Sequence, residues 1–166
     1  VLGSTVENLE KILNDNKENF KVYIANDNSD GQIVLSGKNN DLENFSGVLK
    51  SLKIKNIKLP VSAPFHCNLM NKATNIMSKE IENLSFEKSN NILISNVTGD
   101  EISNTEELKK LLTKQIENRV RWRESVINMI NKGVKQFIEI GPGKVLSGLV
   151  KRINKDVVIN SINNEE

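Results

Sequence analysis

Apolar residues recur along this chain at helical and strand spacings, and the pattern changes character at Pro60. Ahead of Pro60, Leu9, Ile12 and Leu13 fall on one face of a helix. The preceding Ser4-Thr5-Val6-Glu7 fits a capping box, in which a Ser hydroxyl accepts from a backbone N–H and a Glu three residues on reaches back. Phe20 to Ala25 alternates as a strand, Asn26 to Gly31 carries turn residues, and Gln32 to Ser36 forms a second strand closed by Gly37. Asp41 to Leu52 sets Leu42, Phe45, Val48 and Leu49 on one helical face. Ile54, Ile57 and Leu59 suggest a final strand. With Val1-Leu2-Gly3 as a strand end, residues 1–60 read β-α-β-β-α-β, the order of a ferredoxin-like split βαβ unit. A unit this small is expected to dock on something larger.

Residues 61–166 alternate helices and strands. Leu69 to Leu84 reads as a helix with Met70, Ala73, Ile76, Met77 and Ile81 inward, and Ile92 to Ser95 as a short buried strand. A helix starts at Thr105 with Glu106 and Glu107 in its first turn, where the dipole favours acids. Arg121 to Asn131 is another helix, ended by Gly133. Gln136 to Ile140 is a strand, Gly141-Pro142-Gly143 turns it into a helix over Lys144 to Ile153, and Val157 to Ile159 is a last strand. The fold class is α/β (α+β overall). A parallel sheet needs both faces covered and usually more strands than these. The reading therefore expects the central strands to come from residues ahead of Val1.

Composition narrows the picture. Hydrophobic residues make up 37% and charged residues 27% of the chain, ordinary for a globular protein. No apolar run approaches the roughly 20 residues that cross a bilayer. The formal net charge of +2 does not support nucleic-acid binding. A single cysteine, Cys67, excludes an internal disulfide framework and a cysteine-rich zinc site, and no metal site is expected. The many Asn, Lys and Ile residues suggest coding bias from an AT-rich genome.

His66 is the only histidine. Imidazole is the side chain whose ordinary pKa lies near neutrality, so it suits general base and then general acid work. On position alone an ordinary, partly exposed loop histidine is the favoured reading. Cys67 adjoins it, but neighbours in an extended loop point apart, so a structural cysteine is expected and a Cys67 hydrolase is not. Gly141-Pro142-Gly143-Lys144 is reminiscent of a phosphate-cradling turn, yet it is shorter than a P-loop, and a tight strand-to-helix turn is the favoured reading. Gln115 and Asn96 stand near the ends of apolar elements and by themselves suggest only caps or turns.

Taken in order, five segments resemble the malonyl-CoA:acyl-carrier-protein transacylases, from about Val1 to Ile153. Ala25 to Gly37 is similar to that family's Asn-x-Asn-Ser-Pro-Gly-Gln segment. Leu59-Pro60-Val61-Ser62-Ala63-Pro64-Phe65-His66 is similar to the segment with its catalytic histidine. Ser95-Asn96-Val97, Gln115-Ile116 with Val120-Arg121-Trp122, and Glu139 to Leu149 match a core strand end, a Gln-Leu and Val-Arg-Trp stretch, and the C-terminal signature. The resemblance implies a ferredoxin-like subdomain over residues 1–60 and, over 61–166, the C-terminal part of an α/β-hydrolase-like acyltransferase core. It implies ping-pong transfer of malonyl from CoA, through a serine ester, to the phosphopantetheine thiol of acyl carrier protein in type II fatty acid synthesis, with no bound cofactor. His66 would be the general base and acid, with the Gln115 main-chain carbonyl orienting it. Asn28 and Asn96 would lie near the substrate. Phe65 would crowd a 2-methyl branch and favour malonyl.

The sequence departs from the family at Asp30 and Arg119, where Pro is usual or frequent. The nucleophile turn, the carboxylate-binding arginine and the oxyanion loop of the family precede the position of Val1. The chain is accordingly expected to be inactive alone and to need the N-terminal half of the enzyme. Acyl carrier protein is typically acidic, and Lys144, Lys151, Arg152 and Lys155 are candidates to receive it, though a solvated helix face explains them as well. The alternatives are a non-catalytic ferredoxin-like binding module and an acyltransferase domain of a polyketide synthase. An RNA-binding module is disfavoured because its strands offer mainly Tyr23 and Phe20 for stacking. The expected setting is soluble, in a plastid-type organelle such as an apicoplast or in bacterial cytoplasm.

Overall fold

The computed structural model describes residues 1–163. The order is α1 (Val6–Asp15), β1 (Val22–Ser29), β2 (Gln32–Gly37), α2 (Asn39–Ser51), a 3-10 turn (Asn68–Met70), α3 (Asn71–Asn83), α4 (Thr105–Lys114), α5 (Trp122–Asn131), β3 (Gln136–Ile140), α6 (Val145–Ile153) and β4 (Val158–Ile162). In the first half, α1 and α2 cover one face of the β1–β2 hairpin. Val6, Leu9, Val22, Ile33, Phe45 and Leu49 form its core. Phe20 meets Phe45 edge-on, with ring centroids 6.0 Å apart. The cap of α1 sits one residue later than expected. Thr5 Oγ1 accepts from the Asn8 N–H, while Ser4 is buried and its hydroxyl accepts from the Asn8 side chain. The third helical position is then Asn8, so Glu7 cannot close a capping box with Ser4.

Two further expectations are corrected here. The turn expected over Asn26 to Gly31 shrinks to Asp30-Gly31, because β1 runs on to Ser29. Its second half is held by residues nearly a hundred positions away. Asp27 N–H donates to the Val120 carbonyl (2.9 Å) and Val120 N–H to the Ala25 carbonyl (2.8 Å). The Asp27 carboxylate, only 1% exposed, receives Arg123 Nε at 3.0 Å on both oxygens. The bulges at Ile24/Asn26 and Asp27/Ser29 fit these outward turns of the chain. Conversely, the expected strand Ile54–Leu59 is reduced to one bridge, Leu2 to Lys55. Among the described residues no further bridge is made along it, and Ile57 and Leu59 are left exposed. The ferredoxin-like order survives in outline: Lys55, Leu2, β2, β1, with Leu2 bridging antiparallel to both Gln32 and Lys55.

In the second half, the helix expected from Leu69 opens as the 3-10 turn, and α3 packs on α4. Of the residues expected inward on α3, Ile81 is buried but Ile76 and Met77 are exposed. The strand expected at Ile92 to Ser95 is a single bridge from Ile94 to Glu101, with Ile92 and Leu93 exposed. Amphipathic periodicity identifies an apolar face, but the elements packed in this chain leave that face open. The same holds for β3 and β4. They pair in parallel and in register, Gln136 with Val158 through Ile140 with Ile162, joined by α6. Helix α6 packs on both strands, while Ile138, Ile140, Val158 and Ile162 are exposed, Ile140 to 79%. A parallel pair with an uncovered apolar face is not how such sheets are stabilised.

The Asp27–Arg123 pair fastens β1 to α5. Arg123→Ala leaves a buried carboxylate without its partner and is expected to cost about 3–5 kcal/mol in urea unfolding. Removing the exposed Lys58–Glu43 pair by Lys58→Ala is expected to leave the urea midpoint essentially unchanged.

Candidate active site

The segment from Leu59 to Cys67 crosses between the halves without regular structure, and His66 lies at its end. His66 has φ +59°, in the left-handed region that a non-glycine residue occupies only under constraint. The constraint is visible. Its backbone N–H donates to the Ile116 carbonyl (3.2 Å), and its Nδ1 lies 2.8 Å from the Gln115 carbonyl oxygen. Gln115 is the C-cap of α4. Carbonyls of a last helical turn lack intrahelical partners and carry the negative end of the dipole, so one is free to accept from a ring N–H and to stabilise imidazolium. With Nδ1–H donating, the neutral ring keeps its lone pair on Nε2. That is the tautomer a general base needs.

Gln115 and His66 are therefore brought together as the resemblance implies, through main chain. The Ile116 carbonyl is an anchor that sequence reasoning missed, since a backbone contact leaves no residue-type signature. Cys67 is turned away, 2% exposed, with Sγ donating to the Pro64 carbonyl (3.2 Å) and 3.7 Å from Ser36 Oγ. It has its own partners and forms no hydrogen bond with the His66 ring. Phe65 stands half in solvent beside the histidine, its N–H donating to the Ala63 carbonyl (3.0 Å).

Asn28 is half-buried on β1 and lines a groove shared with Ser62, Ala63 and Pro64. Asn96 is exposed, and its carbonyl accepts from the Arg121 N–H (2.8 Å). Because Val120 pairs with β1, the two asparagines belong to one frame: β1, the 120–121 segment, and the chain at Asn96. Among the described residues neither side chain hydrogen-bonds His66. Asp30 sits in the hairpin turn, and Arg119 bonds Glu10 (2.9 Å).

The Gly141-Pro142-Gly143 turn is the strand-to-helix connection favoured above, with Gly141 at φ +129° and Gly143 at φ +87°. Its helix N-terminus is already occupied by the chain's own anion. Glu139 accepts from the Leu146 N–H (3.0 Å) and the Ser147 N–H (2.7 Å). The Ser147 side chain first, then the Ser147 and Leu146 backbone N–H groups, hold the Glu139 carboxyl below its usual value. Lys144 stands at one end of α6, and Lys151 and Arg152 at the other with Lys155 just beyond, so the four basic residues do not form one patch. Arg152 donates to the Gln32 side chain. No helix among the described residues is long and apolar enough to cross a membrane. No cluster of three metal-ligating side chains occurs among them.

Comparison with known proteins follows the motifs. No family model matches the chain. Malonyl CoA-acyl carrier protein transacylase of Bacillus subtilis is 36% identical over 168 residues, covering 100% of this chain and 53% of that relative. The Escherichia coli K12 protein of the same name is 32% identical, covering 98% and 53%. The crystal structure of the Clostridium perfringens transacylase superposes with TM-score 0.94 at 40% identity, covering 99% of this chain and 52% of that one. A structure of a type II PKS acyl-carrier protein in complex with its malonyl-transacylase gives TM-score 0.93 at 31% identity, covering 99% and 54%. The chain is thus homologous over its whole length to malonyl transacylases and spans about half the length of the curated relatives it matches.

Two expectations follow from this geometry. In 15N spectra at neutral pH, His66 is expected as the Nδ1–H tautomer; a dominant Nε2–H form would remove the Gln115 contact. The Leu146 and Ser147 amide shifts are expected to titrate with Glu139 at a midpoint below 4.5, its usual value. Stability from this cap is therefore present above the usual glutamate value and is lost as pH falls through the lower folded one.

Proposed function

We propose that this chain, as a homologue of malonyl-CoA:acyl-carrier-protein transacylases, supplies the histidine-bearing part of such an enzyme, with the nucleophile contributed by the other half. The observation that carries this reading is the bond between His66 Nδ1 and the Gln115 carbonyl, which leaves Nε2 as the base. The sequence has no Gly-x-Ser-x-Gly turn, and on this reading malonyl transfer requires the half that carries one.

In the completed enzyme, His66 Nε2 takes the proton of the serine hydroxyl as its oxygen attacks the malonyl thioester carbonyl. The imidazolium then protonates the departing CoA sulfur, leaving malonyl on the serine as an ester. In the second half, His66 takes the proton of the phosphopantetheine thiol of acyl carrier protein. The thiolate attacks the ester, malonyl passes to sulfur, and the proton returns to the serine. A carbonyl at Nδ1 fixes the tautomer and stabilises the imidazolium less than a carboxylate would. Phe65 beside the base narrows the space for a 2-methyl branch, a discrimination limited to roughly 1–3 kcal/mol. Asn28 and Asn96 border the acyl site. Lys151, Arg152 and Lys155 at the end of α6 receive the acidic carrier, which belongs to type II fatty acid synthesis. A polyketide carrier is the second reading, since one structural neighbour is a transacylase in complex with such a carrier.

The test joins the chain to the serine-bearing half. His66→Ala in that enzyme is expected to lower kcat/KM for malonyl transfer by about 10²–10⁴-fold, while Gln115→Ala, which keeps the carbonyl, costs little. A His66→Ala enzyme at full rate would refute the assignment.

A further inference from the structure

The chain turns back at Phe65 and His66, bringing Cys67 to Pro64. A turn position with positive φ usually goes to Gly or Asn. Here it holds His66, at φ +59°. The angle φ fixes how an N–H stands relative to Cβ. The His66 N–H on the Ile116 carbonyl and the His66 ring on the Gln115 carbonyl are both made at this one value. Relaxation to the negative φ that histidine prefers gives up one of them. A side chain closes the turn. Cys67 Sγ donates to the Pro64 carbonyl at 3.2 Å, and Ser36 Oγ on β2 lies 3.7 Å from the same sulfur. With the thiol hydrogen committed to Pro64, the Ser36 hydroxyl is the donor to sulfur. Both side chains are buried, Cys67 at 2% and Ser36 at 6% exposed. Hydroxyl, thiol and carbonyl thus form a relay out of water, in which each bond polarises the next.

We propose that Cys67 is a positioning residue for His66, its thiol, held by Ser36, closing the turn from Pro64 to Cys67 and keeping the left-handed backbone from which the imidazole reaches the Gln115 carbonyl. A buried free cysteine commonly serves as a small apolar side chain. This one uses both its donor and its acceptor, and it does so between the two residues that flank the turn. A thiol is a weak donor. Its hold on Pro64 therefore depends on staying dry and aligned, and Ser36 supplies the alignment from β2. The base is then set from two parts of the chain. The end of α4 grips its ring and its N–H, while β2 reaches its turn through sulfur. Cys67 supplies neither a proton nor a nucleophile to the reaction. The inference rests on the reading of His66 as the base.

The test uses the enzyme joined to its serine-bearing half, with malonyl-CoA as donor and phosphopantetheine-bearing carrier protein as acceptor. Cys67→Ala is expected to lower kcat by about tenfold or more and to leave KM for malonyl-CoA unchanged. In 15N spectra the His66 ring of that variant is expected to move in part from the Nδ1–H to the Nε2–H tautomer. Cys67→Ser keeps a donor for the Pro64 carbonyl and is expected to restore most of the rate and the Nδ1–H form. Ser36→Ala removes only the bond to sulfur and is expected to shift rate and tautomer in the same direction by less. A packing role alone would lower Tm and leave kcat and tautomer as they are, and that result overturns the proposal. If Cys67→Ala does not fold, Ser36→Ala decides: unchanged kcat and an unchanged tautomer overturn it. Failure of the underlying reading looks different. His66→Ala at full rate removes the base itself, whereas an inactive His66→Ala beside an unaffected Cys67→Ala removes only the role of the thiol.

Discussion

The main chain from Gln115 to Arg123 carries the constraint on which the rest of this structure depends. Within nine residues it supplies the carbonyl on the His66 ring, the carbonyl on the His66 N–H, the strand pairing with β1 and the bond to the Asn96 carbonyl, and the Arg123 side chain adds the cation for Asp27. A helix end, an extended step and a helix start follow one another without slack. That compactness lets one short connection hold His66, β1 and the Asn96 carbonyl, drawn from three different parts of the chain. It also means that the small βαββαβ unit and the helical half are not merely tethered. A buried, bidentate ion pair fixes their angle, and breaking either partner costs more than the pair contributes.

The backbone of His66 is the second point at which the molecule departs from local preference. A left-handed histidine persists only where surrounding contacts over-determine it. Here two carbonyls from consecutive residues do so, one gripping the ring and one the main chain. Strain in the loop is thus offset by the helix end it leans on, and the ring has one hydrogen-bonding nitrogen committed and one left for chemistry.

Much of this was legible in the sequence. Periodicity, first-turn acids and glycine turns together located the start of each of the six α-helices among the described residues to within a few residues, and motif order singled out His66 and Gln115. The failures share a cause. Asn26 to Ser29 reads as turn because its residues favour turns, but Val120 and Arg123 hold it extended from far along the chain. Ile54 to Leu59 and Ile92 to Ser95 read as strands because they are apolar, yet a strand needs an edge to pair with, and composition says nothing of neighbours. The Glu139 cap was hidden differently: it lies before the turn it completes, where a carboxylate on a strand looks like an ordinary solvated residue.

The second half exposes aliphatic side chains in two places, Ile138, Ile140, Val158 and Ile162 on the β3–β4 sheet and Ile76 and Met77 on α3. Surfaces of this kind are what quality-control machinery recognises. Covering the β3–β4 face would add stability in proportion to the apolar area removed from water.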